Sequence, residues 1–221
     1  MSVRSFPARP GLLPLVSAAF VAALLAACGS AGAPGAGGSA TAAPIEMPAA
    51  TVPVLGERET AYEPPRPAPD LRLTDQDGRP FDLASLRGKP VLVYFGYTHC
   101  PDVCPTTLAD LREALRLVDD PVGVVFVTVD PARDDAAAMK TYVDYYQSGF
   151  TGLTGSEAEI ADAAEAWGVS YRKLDSDSAA GYAMAHSTDT YLLDAEGTLR
   201  HHLFFGASPE LIAERINEVA G

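Results

Sequence analysis

Tyr94-Phe-Gly-Tyr-Thr-His-Cys-Pro-Asp-Val-Cys-Pro-Thr-Thr-Leu108 joins the apolar run Val91-Leu-Val-Tyr-Phe95 to a helical pattern, and it carries two cysteines four positions apart. The run has strand length and is β-branched and aromatic, which reads as a buried strand. Pro105 suits the first position of a helix, where its missing N–H leaves no bond unmade. Leu108, Leu111, Leu115 and Val118 follow at helical spacing. Cys100 and Cys104 are therefore expected in a strand-to-helix loop, the later one against the helix N-terminus. The positive end of a helix favours a thiolate and lowers its pKa. Thiolates serve both disulfide chemistry and soft-metal binding.

Two cysteines can be inert buried hydrophobes. These two flank Pro-Asp-Val between a strand and a helix, and the third cysteine of the chain is far away at position 28. A structural disulfide here would close only a tiny loop and constrain the unfolded chain little. A reactive or metal-binding pair is the better reading.

Working outward, residues 1–27 hold Arg4 and Arg9, then the mostly apolar Leu12 to Ala27, with no acidic residue. That is the pattern of an export signal, with an apolar part too short and rich in small residues for a transmembrane span. It ends Leu25-Ala-Ala-Cys28-Gly29, which resembles the lipobox of bacterial lipoproteins. The resemblance implies cleavage before Cys28, lipidation of that cysteine, and a chain anchored to a bacterial membrane outside the cytoplasm. Disulfides persist in such a compartment. Loss of Arg4 and Arg9 would take the net charge from −13 to −15. Acidity of this size argues against nucleic-acid binding. It suits solubility, or the steering of cations and basic partners.

From position 28 to about 69 the chain is Ala, Gly, Pro, Ser and Thr with few large apolar residues. It is expected to be a disordered tether. As a flexible coil of about 40 residues it would span roughly 35 Å. Met47 within it is read as incidental.

One domain is expected over 70–221, long enough for a single core. Leu71 to Leu83 reads as a hairpin around Gly78. Val122 to Val129 reads as a central parallel strand. A helix carrying Met139, Val143 and Tyr146 follows. Ser156-Glu-Ala-Glu159 is a capping box that opens a helix with Ile160 and Trp167. Thr190 to Phe204 forms a second hairpin, and Ser208-Pro209 starts a last helix with Ile212, Ile216 and Val219. The order is α/β, and a cysteine loop after the first core strand is the thioredoxin-like arrangement: a mixed sheet flanked by helices, with an added N-terminal hairpin.

Three departures from ordinary thioredoxin-like oxidoreductases bear on function. The cysteines are spaced Cys-x-x-x-Cys, which allows a disulfide and also allows both sulfurs to face one ion. The approach to the later core strand, Ala183-Met-Ala-His186-Ser-Thr-Asp189, lacks the cis-proline of those enzymes. A histidine stands there instead, and the fold should bring His186 to the sulfurs. Two thiolates and an imidazole favour copper, with zinc the main competitor.

Gly96-Tyr-Thr-His-Cys-Pro-Asp-Val-Cys-Pro, Val129-Asp-Pro-Ala-Arg-Asp134 and Ala185-His186-Ser together resemble the Sco/SenC family of copper-binding cytochrome oxidase assembly proteins. The resemblance implies Cys100, Cys104 and His186 as ligands for Cu(I) and Cu(II), with Asp130 as a nearby acid that tunes the site or docks a partner. It implies a metallochaperone for the dinuclear copper site of cytochrome c oxidase subunit II, with other copper carriers or thiol reductants as further partners. Ala185 departs from the family pattern, which has an acidic residue there. The alternative is an enzyme, a thiol-disulfide reductase that uses Cys100 and Cys104 as a redox pair and keeps partner cysteines reduced. A peroxidase of the peroxiredoxin type is a third reading. Among the other candidates, His99 could assist Cys100 as a neighbour of the site. Asp130 also reads as a strand-end turn former before Pro131. Met184 is expected in the core, and His201 and His202 are expected to be exposed, with at most one facing inward.

Overall fold

The computed structural model describes residues 59–147, 149–175 and 181–220; the export signal, Cys28, Met47 and most of the expected tether lie outside these. In chain order the strands and helices are β1 (Glu59–Pro67), β2 (Arg72–Asp75), β3 (Pro80–Asp82), β4 (Val91–Gly96), α1 (Val103–Leu115), β5 (Gly123–Thr128), α2 (Ala136–Tyr146), β6 (Thr151–Thr154), α3 (Glu157–Trp167), β7 (Tyr171–Leu174), β8 (Ala183–His186), β9 (Thr190–Leu193), β10 (Thr198–Leu203) and α4 (Pro209–Ala220). Eight strands form one sheet in the order β1-β10-β9-β4-β5-β6-β2-β3, while β7 and β8 pair only with each other. Strands β4, β5 and β6 run parallel, and β9 lies antiparallel on the other side of β4. Among the described residues no helix is long and apolar enough to cross a membrane.

β4 and β5 are buried along their whole length, as unbroken apolar runs between two covered faces must be. Side chains alternate along β4, so Tyr94 and Gly96 point to one face and Val93 and Phe95 to the other. On the first face Tyr94 stacks on Phe126, which meets Tyr142 of α2 at 5.3 Å between ring centroids. On the second, Phe95 meets Trp167 of α3 at 5.9 Å and Tyr191 at 6.5 Å. Helix α1 lies on the Gly96 face, with α4 packed beside it. The capping box at Ser156 forms with both of its hydrogen bonds, and Gly168 closes α3 in the left-handed conformation. The expected mixed sheet flanked by helices is present, N-terminal hairpin included.

Two expectations fail at the N-terminal edge. The tether was expected to run to Pro69, yet Glu59–Pro67 is a strand, antiparallel to β10. Its prolines and charges hid it, but at a sheet edge a missing N–H costs no ladder bond. Arg66 lies over the Tyr62 ring at 4.8 Å, and Arg215 of α4 donates to both Glu59 oxygens at 2.6 and 2.8 Å. Because β1 covers that edge, β10 is an interior strand, and neither histidine on it is fully exposed. His202 stacks on Tyr191 at 4.8 Å and on Tyr62 at 6.3 Å. His201, on the opposite face, is only 5% exposed.

Burial holds the His201 pKa below the ordinary histidine value of 6.5; Arg215 and Arg200 act the same way, against the pull of Glu218 and Glu59. A buried histidine with a depressed pKa is neutral in the folded chain when the unfolded chain has already taken up a proton. Its contribution is therefore present above about pH 6.5 and is lost as pH falls through the folded value. The wild-type midpoint in urea should drop more steeply between pH 7.5 and 5.5 than that of His201→Gln. Parallel profiles would mean that His201 does not titrate on unfolding.

Candidate metal centre

The loop that leaves β4 turns straight into α1, and this brings the cysteines together. Helix α1 begins at Val103, so Pro105 falls at its third residue rather than its first, and Cys104 lies inside the first turn. The backbone N–H of Cys104 donates to Cys100 Sγ at 3.4 Å. The helix end therefore serves Cys100, the cysteine outside the helix, and the expectation that it would activate the later one is corrected. The Cys104 thiol itself holds the Cys100 pKa far down, to about 3; the backbone N–H groups of Cys104 and Asp102 add to this, and burial opposes it. The same thiol-to-thiolate bond pushes Cys104 up, and burial pushes it further. In the reduced, metal-free pair the half-buried Cys100 is the readier to hold a thiolate and the buried Cys104 the readier to keep its proton.

Gly96 makes room for this. A methyl group there would lie 2.7 Å from Phe126 Cε2 and 2.8 Å from Cys104 Sγ, closer than packed atoms allow.

His186 ends β8 and arrives from the separate two-stranded arm. Its Nε2 is 3.5 Å from Cys104 Sγ. Its Nδ1 is 2.6 Å from the Ser187 carbonyl oxygen, which can only accept. That contact places the proton on Nδ1 and leaves the Nε2 lone pair facing the sulfurs. Tyr97 meets the imidazole edge to face at 5.7 Å, and Tyr94 lies at 6.4 Å. Donor atoms of Cys100, Cys104 and His186 all lie within 4.8 Å of one another, and no other such group of three or more occurs among the described residues. Two thiolates held about 2.3 Å from one ion in trigonal geometry stand about 4 Å apart, so the cluster fits a single ion with little movement.

The neighbours named from sequence have other partners. His99 is exposed, its Nδ1 3.0 Å from Thr98 Oγ1 and 3.5 Å from Asp134 Oδ1, and it is not part of the cluster. Asp130 is 3% exposed, and its oxygens accept from Tyr182 Oη at 2.6 Å and Arg133 Nε at 2.5 Å. A carboxylate so enclosed has no face to offer a docking partner. Met184 packs against the core as expected.

Sequence reasoning passed over Asp134. It is fully buried, and it accepts from the Thr98 backbone N–H at 2.9 Å, the Thr98 hydroxyl at 2.6 Å and the Thr128 hydroxyl at 2.7 Å. It therefore fixes the loop two residues before Cys100. Its trace in the sequence is its place at the end of the Val129–Asp134 stretch, where no role was read for it.

A sequence model of the SCO1/SenC family matches residues 59–221. The chain belongs to the SCO1/SenC family. A SCO2-like protein of Rickettsia conorii is 37% identical over 149 residues, which is 66% of this chain and 73% of that protein. The structure of Bradyrhizobium japonicum ScoI with copper bound is 37% identical with a TM-score of 0.63, over 69% of this chain and 99% of that one. A SCO1/SenC family lipoprotein from Bacillus anthracis is 25% identical with a TM-score of 0.58, over 71% of this chain and 98% of that one. The family match starts at Glu59, the first residue of β1, so that strand lies within the SCO1/SenC region. The thioredoxin-like fold read from the sequence is the fold of these SCO1/SenC relatives.

Proposed function

We propose that this chain is a copper metallochaperone. It binds one copper through Cys100, Cys104 and His186 and supports assembly of the dinuclear copper site of cytochrome c oxidase, delivering to subunit II. The observation that carries this reading is the meeting of the three donors within 4.8 Å, two from one loop and one from an arm that begins far along the chain. The copper held by the related Bradyrhizobium japonicum ScoI supports the choice of metal.

The chain's own groups would act in order. The Cys100 thiolate meets the incoming ion first, since it is charged and partly exposed. Cys104 gives up its proton as its sulfur binds. The Nε2 lone pair of His186 completes the set. Release runs by exchange, with an incoming thiolate reaching the ion at the accessible Cys100 side. We further read residues 1–27 as a leader and Cys28 as a lipid anchor that holds the protein at a bacterial membrane, outside the cytoplasm. The Bacillus anthracis family lipoprotein supports this.

The polarity of the cysteine pair favours a second reading. A thiolate at Cys100 with a thiol donor beside it suits a thiol-disulfide reductase. Cys100 would attack a partner disulfide, and Cys104 would displace it, leaving a Cys100–Cys104 disulfide and two partner thiols. Adding Cu(II) to the full chain separates the two. The carrier takes up about one equivalent and develops strong sulfur-to-copper absorption in the visible range, as a thiolate-ligated Cu(II) must. A colourless chain with no stoichiometric uptake would refute the carrier and leave the reductase.

A further inference from the structure

The arm that carries His186 has no strand pairing to the main sheet. Its two strands bond only to each other, from Tyr171 opposite His186 to Leu174 opposite Ala183. At the His186 end, Ser187 N–H donates to the Ser170 carbonyl at 2.8 Å, a bond internal to the arm's own connections. Within β8 the Met184 side chain packs on the core and its backbone bonds the Tyr97 hydroxyl; at the far end the tie to the body is made by Tyr182, the residue just before the strand.

Tyr182 is gripped at three points. Its hydroxyl donates to Asp130 Oδ1 at 2.6 Å, and its carbonyl accepts from Arg133 Nη1 at 3.0 Å. Its ring lies 3.7 Å below the Arg133 guanidinium carbon. Arg133 is in turn fixed by Asp130 Oδ2 at 2.5 Å and faces Tyr97 at 5.9 Å, the ring that touches His186. Asp130 and Arg133 belong to the turn after β5, which is part of the main sheet. The buried carboxylate thus spends one oxygen on the turn and the other on the arm. An acid kept only to end a strand would need no tyrosine from 52 residues away.

We propose that Asp130, Arg133 and Tyr182 form a latch that seats the arm on the body and so sets the position of His186 over the sulfurs. These are positioning residues: none touches the donor cluster. The consequence for copper rests on the carrier reading; the seating of the arm does not. With the latch closed, the imidazole is pre-placed, and an ion held by the two thiolates gains its third ligand without ordering a free hairpin. With the latch open, that ordering has to be done at each binding event.

The test is Tyr182→Phe in the full chain, with Tyr171→Phe as a control that removes a hydroxyl from the arm's other strand. Phenylalanine keeps the ring under Arg133, so the core of the fold is untouched. In the reduced, metal-free chain, backbone amides of β7 and β8 should exchange with deuterium about tenfold or more faster in Tyr182→Phe, and at the wild-type rate in Tyr171→Phe. Cu(II) affinity should fall by about tenfold or more in Tyr182→Phe alone, the range seen for outer partners of metal ligands, and the bound Cu(II) resonance should lose imidazole nitrogen coupling. Unchanged exchange would overturn the latch, as would faster exchange with unaltered Cu(II) affinity and spectrum. If the wild-type chain takes up no copper, the carrier reading fails while the exchange comparison still decides the latch.

Discussion

His186→Ala is expected to lose more than about 100-fold in Cu(II) affinity, beyond the 10–100-fold that partners outside the ligand shell command, and with it most of the visible absorption. Cu(I) should be affected much less. Two thiolates satisfy the soft Cu(I) ion, while Cu(II) needs the nitrogen as well. Cys100→Ser and Cys104→Ser should abolish stoichiometric binding of both ions, since a hydroxyl supplies no soft anion at neutral pH. The fold should survive each change. His186 is half-buried, and its hydrogen-bond contacts are its neighbour's carbonyl and the Cys104 sulfur. Competitive titration of the reduced full chain against a chelator of known affinity, run for each oxidation state, gives the answer. If Cu(II) affinity holds in His186→Ala, the imidazole is not a ligand, and the Cys100–Cys104 pair must be explained as a reductant.

Asp134→Ala should cost about 3 kcal/mol of stability, with Asp134→Asn costing roughly half as much. The alanine takes the acceptor from the part-buried Thr98 N–H and the buried Thr128 hydroxyl, while the Thr98 hydroxyl keeps His99 Nδ1 at 3.0 Å; each buried donor left unpaired costs about 1–3 kcal/mol, partly offset because the carboxylate no longer has to be buried. Asparagine retains one accepting oxygen, and the three bonds are split over two oxygens. Urea denaturation of both variants measures this. Folded Asp134→Ala at low temperature should also release copper faster, because the segment ahead of Cys100 is no longer pinned to the turn after β5. A variant as stable as wild type would show that water reaches these donors and that the network contributes little.

Features written in short local patterns were readable in advance. The unbroken run from Val91 to Phe95 could only be a covered strand, and the Ser156–Glu159 pair announced its helix start. Elements whose stability comes from distant partners left little trace. β1 holds three prolines and is fixed by Arg215 from the last helix, so its own composition argues against it. β7 is largely exposed and β6 has four residues, too few for a period. The cluster followed the same rule. Cys100 and Cys104 were visible as a pair, and His186 was found because a residue expected in that place was missing. Asp134 and Tyr182 were invisible because an aspartate and a tyrosine have ordinary uses everywhere. Their role depends on which threonine or carboxylate faces them after folding. Asp130 was noticed for its motif and its place in a turn, but only coordinates reveal that its two oxygens are engaged by Arg133 and Tyr182.

The edge strand also decides where the leading part of the chain is attached. Glu59 pairs with Leu203, Leu203 with Thr190, and Thr190 with Tyr94, so the first residue of β1 stands at the same end of the sheet as the thiols. Three strand spacings, about 14 Å, separate the two across the sheet. A lipid on Cys28 would therefore tug on the business end of the domain rather than its back. The 30 residues between Cys28 and Glu59 could reach no further than about 100 Å even when drawn straight. Under the anchor proposed for Cys28, cargo would change hands within that reach of the bilayer.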